Sequence, residues 1–410
     1  MKFNHAADLH LDSPFRGLIS GGLPSDLEKK ILDSTFTSFK NLVDDALFQN
    51  VDFVLLAGDL FDRNDQSLRS KIFLDQQLER LNQKHIPVFI IFGNHDFLQG
   101  GKDSLGFPDN TKVFGPKPET KYLTLKSGQR VAIHGFSFNK QWITKPIIKD
   151  YPVADQSADW NIGMLHGSAD SVKSQDNYAP FTLSDLQSKN YDYWALGHIH
   201  KRQSLDNKGL INYSGNTQGR HINETGKKGY LLVESNGKSL STSFHSTAPI
   251  IWQKILIPVS SKAANTLIKN IFDFLHKQEF KLTTFIRIVL DFKGPISDEL
   301  INKLNDGEVE EVVRDQSLKD WQNVNFFVTS LKFETSQQIK FSQIDQKYFD
   351  EAKLQTLTSK NLEEIKREFM KYDFIQDFLS SSIDQKDIFN LAAQEILSDT
   401  LITGGNKSDN

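Results

Sequence analysis

Residues 86–97 read IPVFIIFGNHDF, and the change of character within this stretch decides the fold. The apolar run 86–92 is typical of a buried strand. It stops at a glycine, and an amide, an imidazole and a carboxylate follow directly as Asn94, His95 and Asp96. Such residues also suit an ordinary turn that closes a strand. The rest of the chain has to decide between a structural turn and a chemical site.

The composition is that of an ordinary globular protein, with 38% hydrophobic and 24% charged residues. Its 410 residues are enough for two or three domains of about 100–200 residues each. The formal net charge is −4, so nucleic acid would have to be bound by local basic patches, metal ions or a partner. The chain has no cysteine, which excludes disulfides, thiolate metal sites and cysteine nucleophiles. A metal would therefore be held by His, Asp, Glu or Asn.

The amino terminus, MKFNHAADLH, lacks the apolar region of a signal peptide. No apolar run reaches the roughly 18 residues that a membrane span requires. We therefore expect a cytoplasmic protein without membrane association.

Residues 1–248 alternate short apolar runs with amphipathic stretches, which predicts an α/β layer fold. The expected strands are 2–7, 51–57, 87–92, 130–136, 161–166, 192–197, 210–213 and 229–234. A helix opened by Ser25, with Glu28 in a capping-box pattern, is expected between the first two strands. A second helix is expected at about 67–84.

A domain boundary is expected near residues 247–249. Residues 249–337 follow a β-α-β-α-β pattern and predict a smaller α+β capping domain that positions DNA. Its expected strands are 251–258, 283–292 and 323–333, and its expected helices are 261–277 and 297–305. Residues 338–403 are expected to form a helical C-terminal segment, and residues 404–410 a disordered tail.

Five segments share one design, in which a short apolar strand ends and metal-binding side chains follow. They are AADLH with Asp8 and His10, LAGDLFD with Asp59 and Asp62, FGNHD with Asn94 and His95, MLHGS with His166, and ALGHIH with His198 and His200. Ligands of open α/β sheets bind outside the carboxyl ends of the strands, so these residues should converge on one crevice. Each segment alone has a structural explanation, but all five at strand ends favour a metal centre.

The donor types predict two divalent cations. We expect the ligands to divide into two sets around Asp59, whose two oxygens could bridge both cations. The first set is Asp8, His10 and His200, and the second set is Asn94, His166 and His198. Mixed imidazole, carboxylate and amide ligands without sulfur suit Mn, Fe or Zn.

The motifs DLH, GDLFD, GNHD, LHGS and GHIH, in this order, resemble those of the calcineurin-like metallophosphoesterases. The form with DxH first and GHxH last is similar to the SbcD and meiotic-recombination nuclease branch. Within it, HAADLHLDSPF at 5–15 and SGNTQGRHINETG at 214–226 look most like the bacterial YhaO-type DNA repair exonucleases. The resemblance is close over most of residues 1–250, and beyond them only order and size agree. Residues 213–215 read Tyr-Ser-Gly where relatives often have Tyr-Pro-Gly.

This resemblance implies a four-layer α/β/β/α sandwich that holds two metals, usually manganese. It implies the same two ligand sets, with Asp59 shared between them. His95 is implied to be catalytic and to hold no metal. Some relatives carry a second histidine at the position of Asp62, and here that carboxylate could hydrogen-bond His95, orient it and favour its charged form.

Arg220 and His221 lie in the glycine-rich loop 215–226 and are candidates for phosphate contacts. A loop cation in solvent is an equally good interpretation. Alternation along the first strand points His5 away from Asp8, and we expect it to be structural.

Three functions compete. The first is a metal-dependent DNA nuclease, an exonuclease of DNA repair or recombination. The second is a phosphodiesterase or phosphatase for a small phosphoester, and the third is a non-catalytic subunit that binds DNA ends. The complete ligand set argues against the third, and the extra domain and helical end argue against the second.

The apolar stripes of residues 338–403 either pack on their own chain or dock a partner helix. The resemblance implies a partner for this segment, an SbcC/YhaN-like coiled-coil ATPase, and homodimers are common among these nucleases. The chain itself has no GxxxxGK[ST] loop for ATP.

Overall fold

The computed structural model describes residues 1–15, 18, 22–62, 66–98, 106–169, 178–260, 263–292, 294 and 296–334. The predicted helical segment 338–403 and the predicted tail 404–410 lie outside the described residues. Within the described part, no helix is both long enough and apolar enough to cross a membrane.

Two six-stranded sheets occupy the first part of the chain. The first contains, in spatial order, β12 (Ser239–Ser246), β11 (Gly229–Asn236), β1 (Lys2–Ala6), β2 (Phe53–Ala57), β3 (Val88–Ile91) and β4 (Thr111–Val113). The second contains β5 (Glu119–Thr124), β6 (Arg130–Gly135), β7 (Trp160–His166), β8 (Tyr193–Gly197), β10 (Ile211–Tyr213) and β9 (Gln203–Ser204). Strands β1 to β4 run parallel, as do β6, β7, β8 and β10. Each sheet therefore gathers several strand carboxyl ends at one edge.

The two sheets face each other across an aromatic core. Phe3, Phe53 and Phe89 on the first sheet share this core with Met164 and Tyr193 on the second. The rings of Phe3 and Phe53 stack with centroids 4.6 Å apart, and Tyr193 meets Phe3 edge-on at 5.5 Å. These strands are buried on both sides, which explains their continuous apolar runs.

Helices cover the outer faces. They are α1 (Ser25–Leu32), α2 (Ser34–Gln49), α3 (Leu68–Asn82) and the short α4 (Leu183–Gln187). Phe39 of α2 and Leu78 of α3 share a buried cluster with Val54 of the first sheet. Leu186 of α4 shares another with Trp194 of the second sheet. The layers are thus α/β/β/α, and the predicted fold class is confirmed.

A third sheet follows, with a core of its own. Its strands β13 (Ile250–Val259), β14 (Thr283–Phe292) and β15 (Phe326–Glu334) are parallel neighbours. Three helices accompany them: α5 (Ala264–Leu275), α6 (Asp298–Asn305) and α7 (Glu308–Val324). Their apolar residues form one cluster with the strands, including Leu267, Ile288, Leu300 and Val313.

Several elements differ from the sequence prediction. The stretch from Ser25 forms two helices, because α1 ends just before Asp33 and α2 begins directly after it. Helix α1 starts after Pro24 without a side-chain cap, so the predicted capping box is wrong. Helix α7 was not predicted and occupies the start of the expected strand 323–333. Its buried stripe includes Ser317, whose hydroxyl accepts from the backbone N–H of Val328 at 3.1 Å. Because Ser317 is polar, the spacing of apolar residues that predicts a helix is interrupted here.

His5 links the two sheets. Its imidazole is fully buried, with Nδ1 2.9 Å from the hydroxyl of Tyr193 and Nε2 3.2 Å from the carbonyl oxygen of Leu196. A carbonyl only accepts, so Nε2 carries the proton and the Tyr193 hydroxyl donates to Nδ1. Burial lowers the pKa of His5 from 6.5 to about 3, although the Leu196 carbonyl acts in the opposite direction.

We predict that His5 makes the fold sensitive to acid. The unfolded chain takes up a proton at this residue below pH 6.5, whereas the folded chain resists protonation until about pH 3. Stability therefore falls as the pH falls through this window, by about 2 kcal/mol at pH 5 relative to pH 7.5. His5→Gln should lose this part of the pH dependence, as measured by urea unfolding at both pH values.

Tyr193→Phe is the matched control, because it removes the hydroxyl contact but keeps the buried imidazole. It should lower stability at both pH values and keep the pH dependence of the natural chain. An unchanged pH dependence in His5→Gln would show that His5 does not contribute it.

Candidate metal centre

The candidate ligands emerge from the carboxyl ends of five parallel strands. Strands β1, β2 and β3 of the first sheet lead to Asp8 and His10, to Asp59, and to Asn94. Strands β7 and β8 of the second sheet lead to His166, and to His198 and His200. The loops after β1 and β2 continue the pairing of these strands. The backbone N–H of Asp8 donates to the carbonyl oxygen of Gly58 at 3.0 Å, and that of His10 donates to the carbonyl oxygen of Asp59 at 3.1 Å. The topology thus brings all seven residues to one edge.

The backbone is strained where ligands are expected. Asp8, His10, Asp59 and His198 all have positive φ values, of 52°, 43°, 50° and 97°. Side-chain-bearing residues rarely adopt this region, and each such residue costs on the order of 1–3 kcal/mol. Strain of this kind persists where the surrounding structure holds it for a functional purpose.

Two glycines let the loops approach each other. A Cβ atom at Gly93 would lie 2.2 Å from Oδ1 of Asp59 and 2.8 Å from Nε2 of His166. A Cβ atom at Gly197 would lie 1.9 Å from the carbonyl oxygen of Ala57. Any side chain at these positions would push the candidate ligands apart, so the close approach of the loops requires glycine here.

The first cluster consists of Asp8, His10 and His200, with ligand atoms within 4.8 Å of one another. Nε2 of His10 faces Nε2 of His200 at 3.0 Å. Two nitrogens that bind the same cation, each at about 2.1 Å, can lie this far from each other. Nδ1 of His10 is buried, and within the described residues it has no hydrogen-bond partner.

The second cluster lies around His166. Its Nε2 is 3.3 Å from Oδ2 of Asp59 and 3.1 Å from Oδ1 of Asn94. The imidazole of His198 contacts the ring of His166 with centroids 5.2 Å apart. Nδ1 of His166 donates to the carbonyl oxygen of Ala57 at 3.0 Å, which leaves Nε2 as the ligand atom.

Asp59 lies between the two clusters. The same oxygen, Oδ2, is 3.3 Å from Nε2 of His166 and 3.9 Å from Nε2 of His10. Asp8 also belongs to both neighbourhoods, because Asp8, Asp59 and His166 have ligand atoms within 4.8 Å of one another. The buried oxygen and nitrogen donors fit two divalent cations.

Burial and neighbouring charges set the protonation of the centre. Burial raises the pKa of Asp59, but His166 and His95 outweigh it and leave the pKa well below its ordinary value. Burial and, second, the charge of His166 lower the pKa of His198 to about 3. An ionised carboxylate and a neutral imidazole are the forms that bind metal. Burial lowers the pKa of His166, but Asp59 and Asp8 outweigh it and raise the pKa to about 9, so metal binding there would release a proton.

Asp96, the last residue of GNHD, fastens two ligand loops together. Its Oδ1 accepts from the backbone N–H of Gly93 at 2.7 Å, and its Oδ2 from that of Leu60 at 2.6 Å. Burial and, second, the charge of Asp59 raise the pKa of Asp96 to about 7. No role for Asp96 was predicted from the sequence, although its place in the GNHD motif was the available signal.

His95 and Asp62 are neighbours, but not in the expected way. Nδ1 of His95 donates to the backbone carbonyl oxygen of Asp62 at 2.9 Å. Oδ1 of the Asp62 carboxylate accepts from Ser13 at 3.0 Å and from Nη1 of Arg220. The carboxylate of Asp62 was expected to orient His95, and in the structure the backbone carbonyl of the same residue does so. His95 lies beside the first cluster, edge-on to His10 at 5.1 Å.

Glu224 connects the loop 215–226 to the first cluster. Its Oε1 accepts from Nδ1 of His200 at 2.6 Å and lies 3.4 Å from Nε2 of His221. Its Oε2 accepts from the Asn216 amide at 2.8 Å and from the backbone N–H of Arg220 at 2.7 Å. The structure therefore places Arg220 and His221 beside the first cluster, with Arg220 paired to Asp62, and their contact with phosphate stays a prediction.

Glu224 was missed in the sequence analysis. It is the only acidic residue of the stretch SGNTQGRHINETG. Carboxylates often accept a hydrogen bond from a metal-binding histidine and so orient it. An acidic residue in this glycine-rich loop was therefore the available signal. Burial raises the pKa of Glu224, but His200 and Arg220 outweigh it and leave the pKa well below its ordinary value.

Comparison with known proteins identifies relatives of this chain. Residues 1–202 match the sequence profile of the family described as calcineurin-like phosphoesterase. Over 327 residues the chain is 38% identical to the uncharacterized metallophosphoesterase YhaO of Bacillus subtilis (strain 168), covering 76% of this chain and 79% of that protein. Among solved structures, a dimetal phosphatase from Danio rerio is 12% identical with a TM-score of 0.34, covering 59% of this chain and 98% of that one.

We predict that Glu224→Gln weakens metal binding. All partners of the carboxylate donate hydrogen bonds, and a glutamine amide can accept at only one end, so one set of donors would face its NH₂ group. Loss of such a partner lowers metal affinity by about 10–100-fold. Competition with a chromophoric chelator for Mn²⁺ measures this effect.

Glu299→Gln is the matched control, since Glu299 is a glutamate of α6 whose side chain is 82% exposed. It should bind Mn²⁺ like the natural chain. Equal affinity in Glu224→Gln and in this control would rule out the positioning role of Glu224.

Proposed function

Because the chain belongs to the calcineurin-like phosphoesterase family, a family of phosphoester hydrolases with dimetal centres, we propose that it is a metal-dependent DNA nuclease, an exonuclease of DNA repair or recombination. One observation carries the hydrolytic part of this proposal. Two clusters of largely buried metal-binding side chains meet at Asp59, beyond the carboxyl ends of the parallel strands of both sheets.

In the proposed enzyme the candidate ligands would form two sets, one for each of two cations. Asp8, His10, Asp59 and His200 would hold the first, and Asp59, Asn94, His166 and His198 would hold the second. We propose manganese, with iron or zinc as alternatives, because the donors are nitrogen and oxygen without sulfur. When bound, two such cations activate water and neutralise charge that develops on the phosphate oxygens.

We assign His95 the role of general acid. Its Nδ1 is engaged with the Asp62 carbonyl at 2.9 Å, so Nε2 is the nitrogen that faces the substrate in our proposal. Water forms a new bond to phosphorus, the bond from phosphorus to the sugar oxygen breaks, and His95 gives its proton to that departing oxygen. The proton that the attacking water loses passes to solvent. Arg220, which pairs with Asp62 beside His10, would contact the phosphate in this proposal.

The third sheet supports a polymeric substrate over a small one. Nε1 of Trp252 in β13 donates to the carbonyl oxygen of Gly219 at 2.8 Å, and Nζ of Lys254 donates to Asn223 at 3.1 Å. The sheet is thus bonded to the loop that carries Arg220 and Glu224. A small phosphoester held at the centre alone would not need this additional sheet beside the loop, so we take its presence to favour a nucleic acid.

The partner predictions remain predictions. An SbcC/YhaN-like coiled-coil ATPase would dock on residues 338–403, which lie outside the described residues. Homodimerisation is a second proposal of the same kind.

The proposed function predicts a substrate preference. We expect the metal-stripped chain, supplied with Mn²⁺, to shorten end-labelled duplex, hairpin or single-stranded DNA. Bis(p-nitrophenyl) phosphate and a cyclic nucleotide, run in parallel, should be poorer substrates. Cleavage of the small phosphoesters with all DNA left intact, even with the ATPase partner added, would contradict the nuclease proposal and favour a small-molecule phosphodiesterase.

A second prediction concerns His95. His95→Ala should bind two metal ions per chain like the natural protein, yet lose about 10²–10⁴-fold in turnover, because a positioned proton donor contributes that much. Elemental analysis and DNA cleavage rates measure the two quantities. His85→Ala, at an exposed histidine outside the centre, is the control. Full turnover in His95→Ala would remove His95 from the chemistry.

A further inference from the structure

An exposed tryptophan stands beside the candidate centre. Trp142 lies in the loop NKQWITK at 139–145, which follows β6 at the carboxyl edge of the second sheet, and 55% of its surface is exposed. The indole stacks on the buried ring of Tyr178, with centroids 5.0 Å apart and an angle of 21° between the planes. Tyr178 in turn contacts the imidazole of His198 at 5.0 Å.

Buried residues on both sides hold this loop in place. Phe138, just before it, is fully buried, and its backbone N–H donates to Phe92 at 3.0 Å, next to the GNHD segment. Ile143 is also buried, and its carbonyl accepts from Ala179 at 2.6 Å. Trp142 is therefore presented by an anchored loop, with one face on Tyr178.

The surroundings of the indole suit a nucleic acid. Lys140 and Lys145 are exposed in the same loop on either side of Trp142. An aromatic face between cations is the combination that binds single strands, where bases stack on rings and phosphates contact lysines. Trp142 thus offers exposed ring surface between two lysines.

The distance suits a nucleotide close to the reacting phosphate. Two ring-to-ring steps, each of 5.0 Å, separate the indole from the imidazole of His198. A DNA strand rises by about 3.4 Å per nucleotide in a duplex, so the indole lies within about three nucleotides of a phosphate at the centre.

We propose that Trp142 is a stacking platform for a nucleobase at the single-stranded end of the DNA substrate. The inference rests on the proposed nuclease function and adds to it a residue that distinguishes DNA from phosphoesters without bases. Lys140 and Lys145 contact the flanking phosphates.

The test compares single-stranded oligonucleotides whose three terminal nucleotides carry bases or are abasic. We expect the full-length natural chain with Mn²⁺ to cleave the normal end with a kcat/KM about 10–100-fold above the abasic end, given the contribution of one stacked base. Trp142→Ala should lose most of this preference by slowing only on the normal end. Trp142→Phe should keep an intermediate preference, because phenylalanine still offers a ring.

Phe48→Ala is the control, since Phe48 is 85% exposed at the end of α2, near the amino end of β2, the opposite edge from the centre. It should behave like the natural chain. Equal slowing of Trp142→Ala on both substrates would indicate a structural role, and unchanged kinetics would indicate another occupant such as a protein; either result overturns the platform. Absence of DNA cleavage by the natural chain overturns the nuclease function and the platform together.

Discussion

The structure depends on the Asp59 carboxylate, which is buried between two clusters of metal-binding side chains. One of its oxygens lies 3.3 Å from His166 of the second sheet and 3.9 Å from His10 of the first. A buried carboxylate is costly unless cations or donors surround it. The two sheets must therefore face each other with their strand ends aligned, and this alignment follows from the parallel order of β1 to β3 and of β6 to β8.

A second layer of side chains keeps the ligands in place. Asp96 joins the loops after β2 and β3, and Glu224 orients His200 from the loop 215–226. The positive φ values at Asp8, His10, Asp59 and His198 show that the fold tolerates strain to direct these side chains. Because the third sheet is bonded to the loop that carries Glu224, changes in that sheet can reach the centre through this loop.

Much of this arrangement could be predicted from the sequence, because strands buried on both faces leave long apolar runs and the ligands follow them directly. The helix α7 could not, since the buried Ser317 interrupts its apolar stripe. Strand β12, with the serine-rich sequence SLSTSFHS, lies at the edge of its sheet and lacks the apolar signal. Glu224 contacts His200, and the carbonyl of Asp62 contacts His95. Both contacts join segments that are distant in sequence, so they could not be predicted from the sequence.

Anomalous scattering from Mn²⁺-loaded crystals tests the central claim most directly. We expect two manganese peaks per chain on either side of Asp59, one near His10 and His200 and the other near Asn94 and His166. A single peak, no peak, or ions bound elsewhere while these imidazoles lie apart would contradict it.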